Sequence, residues 1–152
     1  MALEQYLKKE SIIEDLQAGS KEEALAGLVG AMLQSCPGLD REEVMEVMRK
    51  REALGSTGIG DGVAIPHGKT GHCGDILVAV ARSAKGCDFA AVDGRPCHVF
   101  CALLAPEEAV AGHLSILARF ARIFRSREFR ARFMEAENAE AIWKLLDDAW
   151  SL

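Results

Sequence analysis

A glycine-rich segment in the middle of the chain, GSTGIGDGVAIPHGKTGHCG, constrains the fold more than any other stretch. It holds seven glycines between Gly55 and Gly74, and its apolar residues show no helical period. Within it, GVAIPH is a short apolar run ended by Pro66, which predicts a strand that delivers His67 to its C-terminal edge. The segment therefore separates two regions of different pattern and presents one histidine at the end of a strand.

Two amphipathic helices are predicted before this segment. Ser20 is followed three residues later by Glu23, and Asp40 by Glu43, a spacing typical of the capping box at a helix start. In the first helix, SKEEALAGLVGAML, apolar residues recur on one face at Leu25, Leu28, Val29 and Met32.

Strands and then helices are predicted after it. DILVAVAR and CHVFCALLA read as two strands joined through KGCDFAAVDGRP, in which Asp93-Gly94 is typical of a tight turn. GHLSILARFARIF has helical spacing at Leu114, Leu117, Phe120, Ala121 and Phe124. Two further helices follow, with Ser126 and Asn138 as N-caps. The order predicts a single α/β domain over residues 1–152, with a small sheet covered by helices.

Composition narrows the class of function. The chain of 152 residues is 49% hydrophobic and 27% charged, and its formal net charge of −5 argues against a general nucleic-acid binder. No secretory signal precedes the first predicted helix and no apolar run reaches membrane-spanning length, so we expect a cytoplasmic protein without membrane insertion. The five cysteines form no Cys-x-x-Cys pair and are expected to be buried thiols.

Two interpretations of GVAIPHGKT fit poorly. A P-loop requires four residues between its glycines, whereas Gly62 and Gly68 enclose five, and a strand-like run occupies the place of the loop. His67, His72 and Cys73 are zinc-ligand types in one loop, but no second short-spaced pair completes a site. We therefore predict neither a nucleotide-binding loop nor a metal site, and we expect no cofactor.

A third interpretation makes His67 a nucleophile that carries a phosphoryl group. Neutral imidazole is nucleophilic near pH 7, and phosphoryl transfer needs cations and N–H donors around the phosphorus. Arg51, at the end of the second helix, supplies a planar cationic fork. His113 lies near the start of a later helix. Taken singly, each of these residues is also explained by a structural role, and spacing does not show that they meet.

Ser56 and Thr57, in GSTG, add two hydroxyl groups to this interpretation. They lie next to glycines whose N–H groups can approach an anion closely. We predict both as phosphate-binding residues.

The motif REALGSTGIGDGVAIPHGK, followed by PCHVFCALLAP and HLSILARFARIF, closely resembles the EIIA component of the fructose/mannitol class of the bacterial phosphoenolpyruvate-dependent phosphotransferase system. Of its branches, the nitrogen-regulatory EIIA is the most similar. The resemblance covers nearly the whole chain and implies a small mixed β-sheet flanked by helices on both sides. The Cys97-His98 pair departs from the usual strand residues, and His98 is expected to be a partly exposed strand residue.

The resemblance implies that His67 takes its phosphoryl group from an HPr-like phosphocarrier protein, with His113 and Arg51 around the phosphohistidine. The acceptor is then either a regulatory protein target, if this is a nitrogen-regulatory EIIA, or an EIIB domain, if it is a sugar-transport EIIA. The lack of a fused EIIB, EIIC or HPr-like segment favours the regulatory form. A non-catalytic interaction module is the third alternative, and the intact His67, Arg51 and His113 argue against it.

Overall fold

The computed structural model describes residues 2–151, which form six strands and five α-helices after a single 3-10 turn at Leu3–Gln5. The strands are β1 (Leu7–Ile13), β2 (Gly58–Gly60), β3 (Val63–Ala64), β4 (His67–Thr70), β5 (Leu77–Cys87) and β6 (Cys97–Pro106). The helices are α1 (Lys21–Ser35), α2 (Arg41–Ala53), α3 (Val110–Arg125), α4 (Arg127–Glu135) and α5 (Ala139–Trp150). No helix within residues 2–151 has the length and apolar character needed to cross a membrane.

The strands form one mixed sheet in the order β1-β5-β6-β3-β2, and β4 also pairs with β6. β1 runs parallel to β5, β5 antiparallel to β6, and β3 and β4 parallel to β6. The strand β6 is central and is buried on both faces, which explains why its sequence is a continuous apolar run instead of an alternating one.

Helices cover both faces of the sheet, as predicted. The helices α1 and α2 pack on one face around Leu28, Met32 and Phe100, while α3, α4 and α5 pack on the other around Phe120, Leu146 and Trp150. The two cores share the sheet, since successive residues of a strand point to opposite faces.

The predicted helix starts are confirmed. The Ser20 side chain accepts from the Glu23 N–H, Ser126 from Phe129 and Asn138 from Ala141. Asp40 caps α2 through the Glu42 N–H. Glu43 does not complete a capping box, because its carboxylate instead pairs with His72 in the loop after β4.

Three local expectations were wrong or incomplete. The run GVAIPH is not one strand: Pro66 interrupts it, β3 ends at Ala64, and His67 begins β4 instead of ending a strand. Pro66 has no N–H for the ladder, but its carbonyl accepts from Leu103 N–H at 2.9 Å, so the two pieces lie in succession along β6.

The other two differences concern β1 and α3. The strand β1, LKKESII, was not predicted, because it lies at the edge of the sheet and only three of its seven residues are buried. Leu114 shares the helical spacing of α3 but is 62% exposed; the buried face is formed by His113, Ile116, Phe120, Ile123 and Phe124.

Candidate functional site

Hydrogen bonds fix the ring of His67 at both of its nitrogens. Nδ1 lies 2.9 Å from the carbonyl oxygen of Ile65, and Arg51 Nε donates to Nε2 at 3.1 Å. A carbonyl oxygen only accepts, so the neutral ring carries its proton on Nδ1. The lone pair of the ring is therefore on Nε2, the nitrogen that faces Arg51.

The surroundings of His67 keep its ring neutral. Burial is the largest influence and lowers the pKa of His67 below its ordinary value, and the positive charge of Arg51 lowers it further. The hydrogen bond to the Ile65 carbonyl opposes this lowering of the pKa without reversing it. Near pH 7 the ring is therefore neutral, and its unprotonated Nε2 is the nucleophilic atom.

Arg51 lies in the last turn of α2 and is held by two acceptors. Its Nη1 donates to the Gly55 carbonyl at 2.9 Å while its Nε donates to His67. The helix reaches this position because Gly68 allows α2 to pack directly on β4: a Cβ atom at position 68 would lie 2.5 Å from Val47 Cγ1. The guanidinium thus presents a cationic fork beside the nucleophilic nitrogen.

His113 lies next to His67, on the opposite wall from Arg51's helix. The two imidazole rings are 5.2 Å apart between centroids and meet edge to face at 79°. His113 is only 4% exposed, and its buried Nε2 has no hydrogen-bond partner among residues 2–151. Burial, and then the nearby His67 and Lys69, lower the pKa of His113 to about 4. A buried ring nitrogen without a partner is unusual, since buried polar atoms are normally hydrogen-bonded.

Ser56 and Thr57 line a small cavity of about 320 Å³ beside His67, but their hydroxyl groups have protein partners. The Ser56 hydroxyl donates to the Phe89 carbonyl at 2.9 Å. The Thr57 hydroxyl is buried and donates to the Glu52 carboxylate. Their predicted role in phosphate binding stays a prediction, and each hydroxyl has a clear role in shaping the turn.

An open apolar groove of about 870 Å³ surrounds the two histidines. Its walls come from the end of α2 and the start of α3, and they include Leu54, Val110 and Leu114, which are 85%, 49% and 62% exposed. Lys50, Arg51 and Lys69 add positive charge to the same lining. Exposed apolar side chains gathered around a reactive group are typical of a surface that another protein covers.

Lys69 and Leu54 also line the site, although neither was predicted from the sequence. Lys69 lies two residues after His67 in β4, so both side chains emerge on one face of the sheet. The alternation of side chains along a strand would have placed Lys69 on the same face as His67, but the extent of β4 was not predicted from the sequence. Leu54 follows α2, and its exposure depends on how the turn at Gly55 leaves the helix.

Other reactive side chains, in the central loop and in β6, have structural roles. His72 Nδ1 pairs with Glu43 at 2.7 Å, and Cys73 is buried, with burial raising the pKa of its thiol. His98 is partly exposed, as expected, and its Nδ1 lies 2.8 Å from the Ser83 carbonyl. Over residues 2–151 no group of three or more His, Cys, Asp or Glu side chains is arranged to hold a metal ion.

Several arginines lie in the stretch of α3 and α4 from Arg119 to Arg132, and two of them bond to main-chain carbonyls at helix ends. Arg119 donates to the Trp150 carbonyl at the end of α5 and lies over the Trp150 ring. Arg130 donates to the carbonyls of Phe124 and Arg125 at the end of α3. These bonds satisfy carbonyl groups that a helix end leaves without partners.

Comparisons with known proteins agree with this fold. Residues 5–149 match the family model described as phosphoenolpyruvate-dependent sugar phosphotransferase system, EIIA 2. A nitrogen regulatory protein of Bradyrhizobium diazoefficiens is 38% identical over 146 residues, which cover 96% of this chain and 95% of that protein. The fructose-specific EIIABC component of Bacillus subtilis is 32% identical over 97% of this chain, which matches 23% of its length.

A solved structure gives the same result. The nitrogen regulatory protein IIA-Ntr of Neisseria meningitidis superimposes with a TM-score of 0.87 at 33% identity, over 93% of this chain and 97% of that one. The match to the family model spans almost all of the sequence, and the relatives share its length or contain it as a segment. The chain therefore belongs to the EIIA 2 family of the phosphoenolpyruvate-dependent sugar phosphotransferase system.

Proposed function

We propose that this protein is a cytoplasmic phosphohistidine carrier whose reactive atom is His67 Nε2, and that residues 1–152 act as one EIIA type-2 domain. A single observation carries the assignment: the Ile65 carbonyl holds the proton on Nδ1 and leaves the lone pair on Nε2, beside Arg51. The phosphoryl donor is a phosphohistidine of an HPr-like carrier, in keeping with the family to which the chain belongs.

In the proposed transfer, the lone pair of His67 Nε2 forms the new N–P bond. The electron pair of the broken N–P bond returns to the imidazole of the donor. Nδ1 of His67 keeps its proton, which stays hydrogen-bonded to the Ile65 carbonyl. The Nε–H of Arg51 moves from Nε2 to a phosphoryl oxygen as phosphorus approaches, while Nη1 stays on Gly55. In this scheme the Arg51 cation and an N–H on Nε2 of neutral His113 stabilise negative charge on the transferring group.

The apolar groove gives the donor a place to dock. Leu54, Val110 and Leu114 surround the two histidines, and covering them with a partner would exclude water from the N–P bond during transfer. In this scheme the protein is a phosphotransferase component that is itself the substrate of each transfer.

A regulatory output is the interpretation we favour. The nitrogen regulatory protein of Bradyrhizobium diazoefficiens matches this chain over 95% of its own length, at a higher identity than the fructose-specific EIIABC component. Phosphorylation adds negative charge to an apolar, cationic face, which would change the partners that this face accepts. The alternative acceptor is an EIIB domain of a sugar-transport system, because the site chemistry is the same.

The decisive experiment is phosphoryl transfer from phosphoenolpyruvate through Enzyme I and an HPr-type carrier, followed by intact mass. We expect a gain of one phosphoryl group that is lost in His67→Ala. Phosphorylation that survives this substitution would refute the assignment, and a folded wild-type protein that gains no phosphoryl group would favour the interaction module. Rapid transfer of the phosphoryl group to a supplied EIIB domain would favour the transport alternative.

A further inference from the structure

Glu52 follows Arg51 in α2 but faces the interior of the protein. It is 8% exposed, and its carboxylate accepts from Lys21 Nζ at 2.8 Å and from the Thr57 N–H at 3.2 Å. The Thr57 hydroxyl donates to the second carboxylate oxygen. A buried carboxylate with a cationic partner and two further donors is tightly constrained in position.

Thr57 passes this constraint to the reactive histidine through the main chain. The Thr57 carbonyl accepts from the Ile65 N–H at 3.0 Å, and the Ile65 carbonyl accepts from His67 Nδ1–H at 2.9 Å. An uninterrupted series of hydrogen bonds thus runs from Lys21, through Glu52, Thr57 and Ile65, to the imidazole ring. The Ile65 carbonyl selects the tautomer of His67. The N–H of the same residue bonds to Thr57, which lies in the turn that Glu52 anchors.

The same turn also orients Arg51. The Gly55 N–H donates to the Glu52 carbonyl at 3.1 Å, and the Gly55 carbonyl accepts from Arg51 Nη1 at 2.9 Å. The Gly55-to-Thr57 turn is therefore attached to Glu52 through both its main chain and its side chain. Movement of this turn would displace the acceptors of His67 and Arg51 together.

We propose that Glu52 and Thr57 are positioning residues that hold His67 as the Nδ1–H tautomer with Arg51 aligned on Nε2. The importance of this tautomer rests on the proposed function, whereas the tautomer itself is measured independently of phosphoryl transfer. The Thr57 hydroxyl is engaged by the Glu52 carboxylate, so in this scheme neither side chain contacts the phosphoryl group. Thr57 acts on the site through its bond to Glu52 and its carbonyl.

The test measures the His67 tautomer in the unphosphorylated protein by ¹⁵N NMR of the imidazole, with the rate of phosphorylation as a second readout. In Thr57→Val, which keeps the shape and removes the hydroxyl, we expect a mixture of tautomers and a rate about 10-fold lower. Thr57→Ser should restore both. Thr70→Val is the matched control, because Thr70 is another buried threonine whose hydroxyl bonds a glutamate of α2, Glu43, without a link to Ile65.

The proposal is overturned if folded Thr57→Val keeps the Nδ1–H tautomer, or if Thr70→Val changes the tautomer to the same extent. If Thr57→Val does not fold, Glu52→Gln is measured in the same way, and retention of the wild-type tautomer there overturns the proposal. A wild-type protein that accepts no phosphoryl group would refute the proposed function, while the tautomer populations would still decide this inference.

Discussion

Arg51 Nε lies 3.1 Å from His67 Nε2 and donates a hydrogen bond to its lone pair. The arginine comes from the last turn of α2 and the histidine from the first residue of β4, so the contact joins two elements that pack on each other through Gly68. The position of Arg51 beside the reactive nitrogen therefore depends on how closely α2 packs on β4.

Arg51→Lys should slow phosphoryl acceptance by at least about 10-fold without unfolding the protein. Lysine keeps the charge but lacks the planar fork that bonds His67 and Gly55 together. Single-turnover transfer from a phosphorylated HPr-type carrier measures the rate. Arg49→Lys is the control, since Arg49 lies in the same helix and pairs with Glu22; equal effects of the two changes would contradict a specific role for Arg51.

His113 should make the protein less stable in acid. Its pKa is lowered to about 4 in the folded protein from the ordinary value of 6.5, so between these values the unfolded state binds a proton that the folded state does not. The free energy of unfolding contributed by this group therefore falls as pH decreases from about 6.5 to about 4, by no more than about 1.4 kcal/mol per pH unit.

Urea unfolding at several pH values measures this dependence. We expect the difference between the wild type and His113→Gln to vary with pH in that window and to be constant above it. A difference that does not change with pH would show that His113 is not held neutral by its surroundings.

Gly68→Ala should damage both stability and transfer. The added methyl group would meet Val47 Cγ1 at 2.5 Å and Met48 Sδ at 3.3 Å, so α2 must move away from β4 and carry Arg51 with it. We expect a loss of about 1–3 kcal/mol in the free energy of unfolding and a slower transfer. Gly38→Ala is the control, because a Cβ atom there meets nothing within 4 Å; wild-type behaviour of Gly68→Ala would contradict the packing argument.

Leu54→Ser and Leu114→Ser should weaken binding of the donor protein while leaving the fold intact. Both side chains are more than half exposed in the groove, so their removal creates no core cavity. We expect the apparent KM for the phosphorylated carrier to rise about fivefold, corresponding to about 1 kcal/mol per contact. Val92→Ser is the control, being 75% exposed and outside this groove; an equal change there would indicate a non-specific effect.

The helices were largely readable from the sequence because their signals are local. Caps such as Ser20 and Asn138 act within one turn, and the spacing of Leu25, Leu28 and Val29 follows directly from the geometry of one helix. The strand β1 gave no such signal, since its burial depends on packing against α1, β5 and α5, of which β5 and α5 come from distant parts of the chain.

The site was predictable in its residue types and not in its geometry. His67, Arg51 and His113 could be named from charge requirements and from the resemblance to a known family. Their contact depends on β4, α2 and α3 meeting at one end of the sheet, which spacing along the chain does not report. The hydroxyls of Ser56 and Thr57 illustrate the limit, because their partners, Phe89 and Glu52, are fixed by tertiary structure.

The acceptor that selects the reactive nitrogen of His67 belongs to the main chain of Ile65. A genetic screen for inactive alleles would therefore not find this atom by replacing the side chain at position 65, since every amino acid supplies the same carbonyl. Such alleles should instead occur at Pro66 and Gly68, which flank the histidine, and at Glu52 and Thr57, which hold the turn bonded to Ile65. The specificity for one nitrogen is thus inherited through backbone shape, and the side chain at position 65 matters for core packing instead of for the choice of nitrogen.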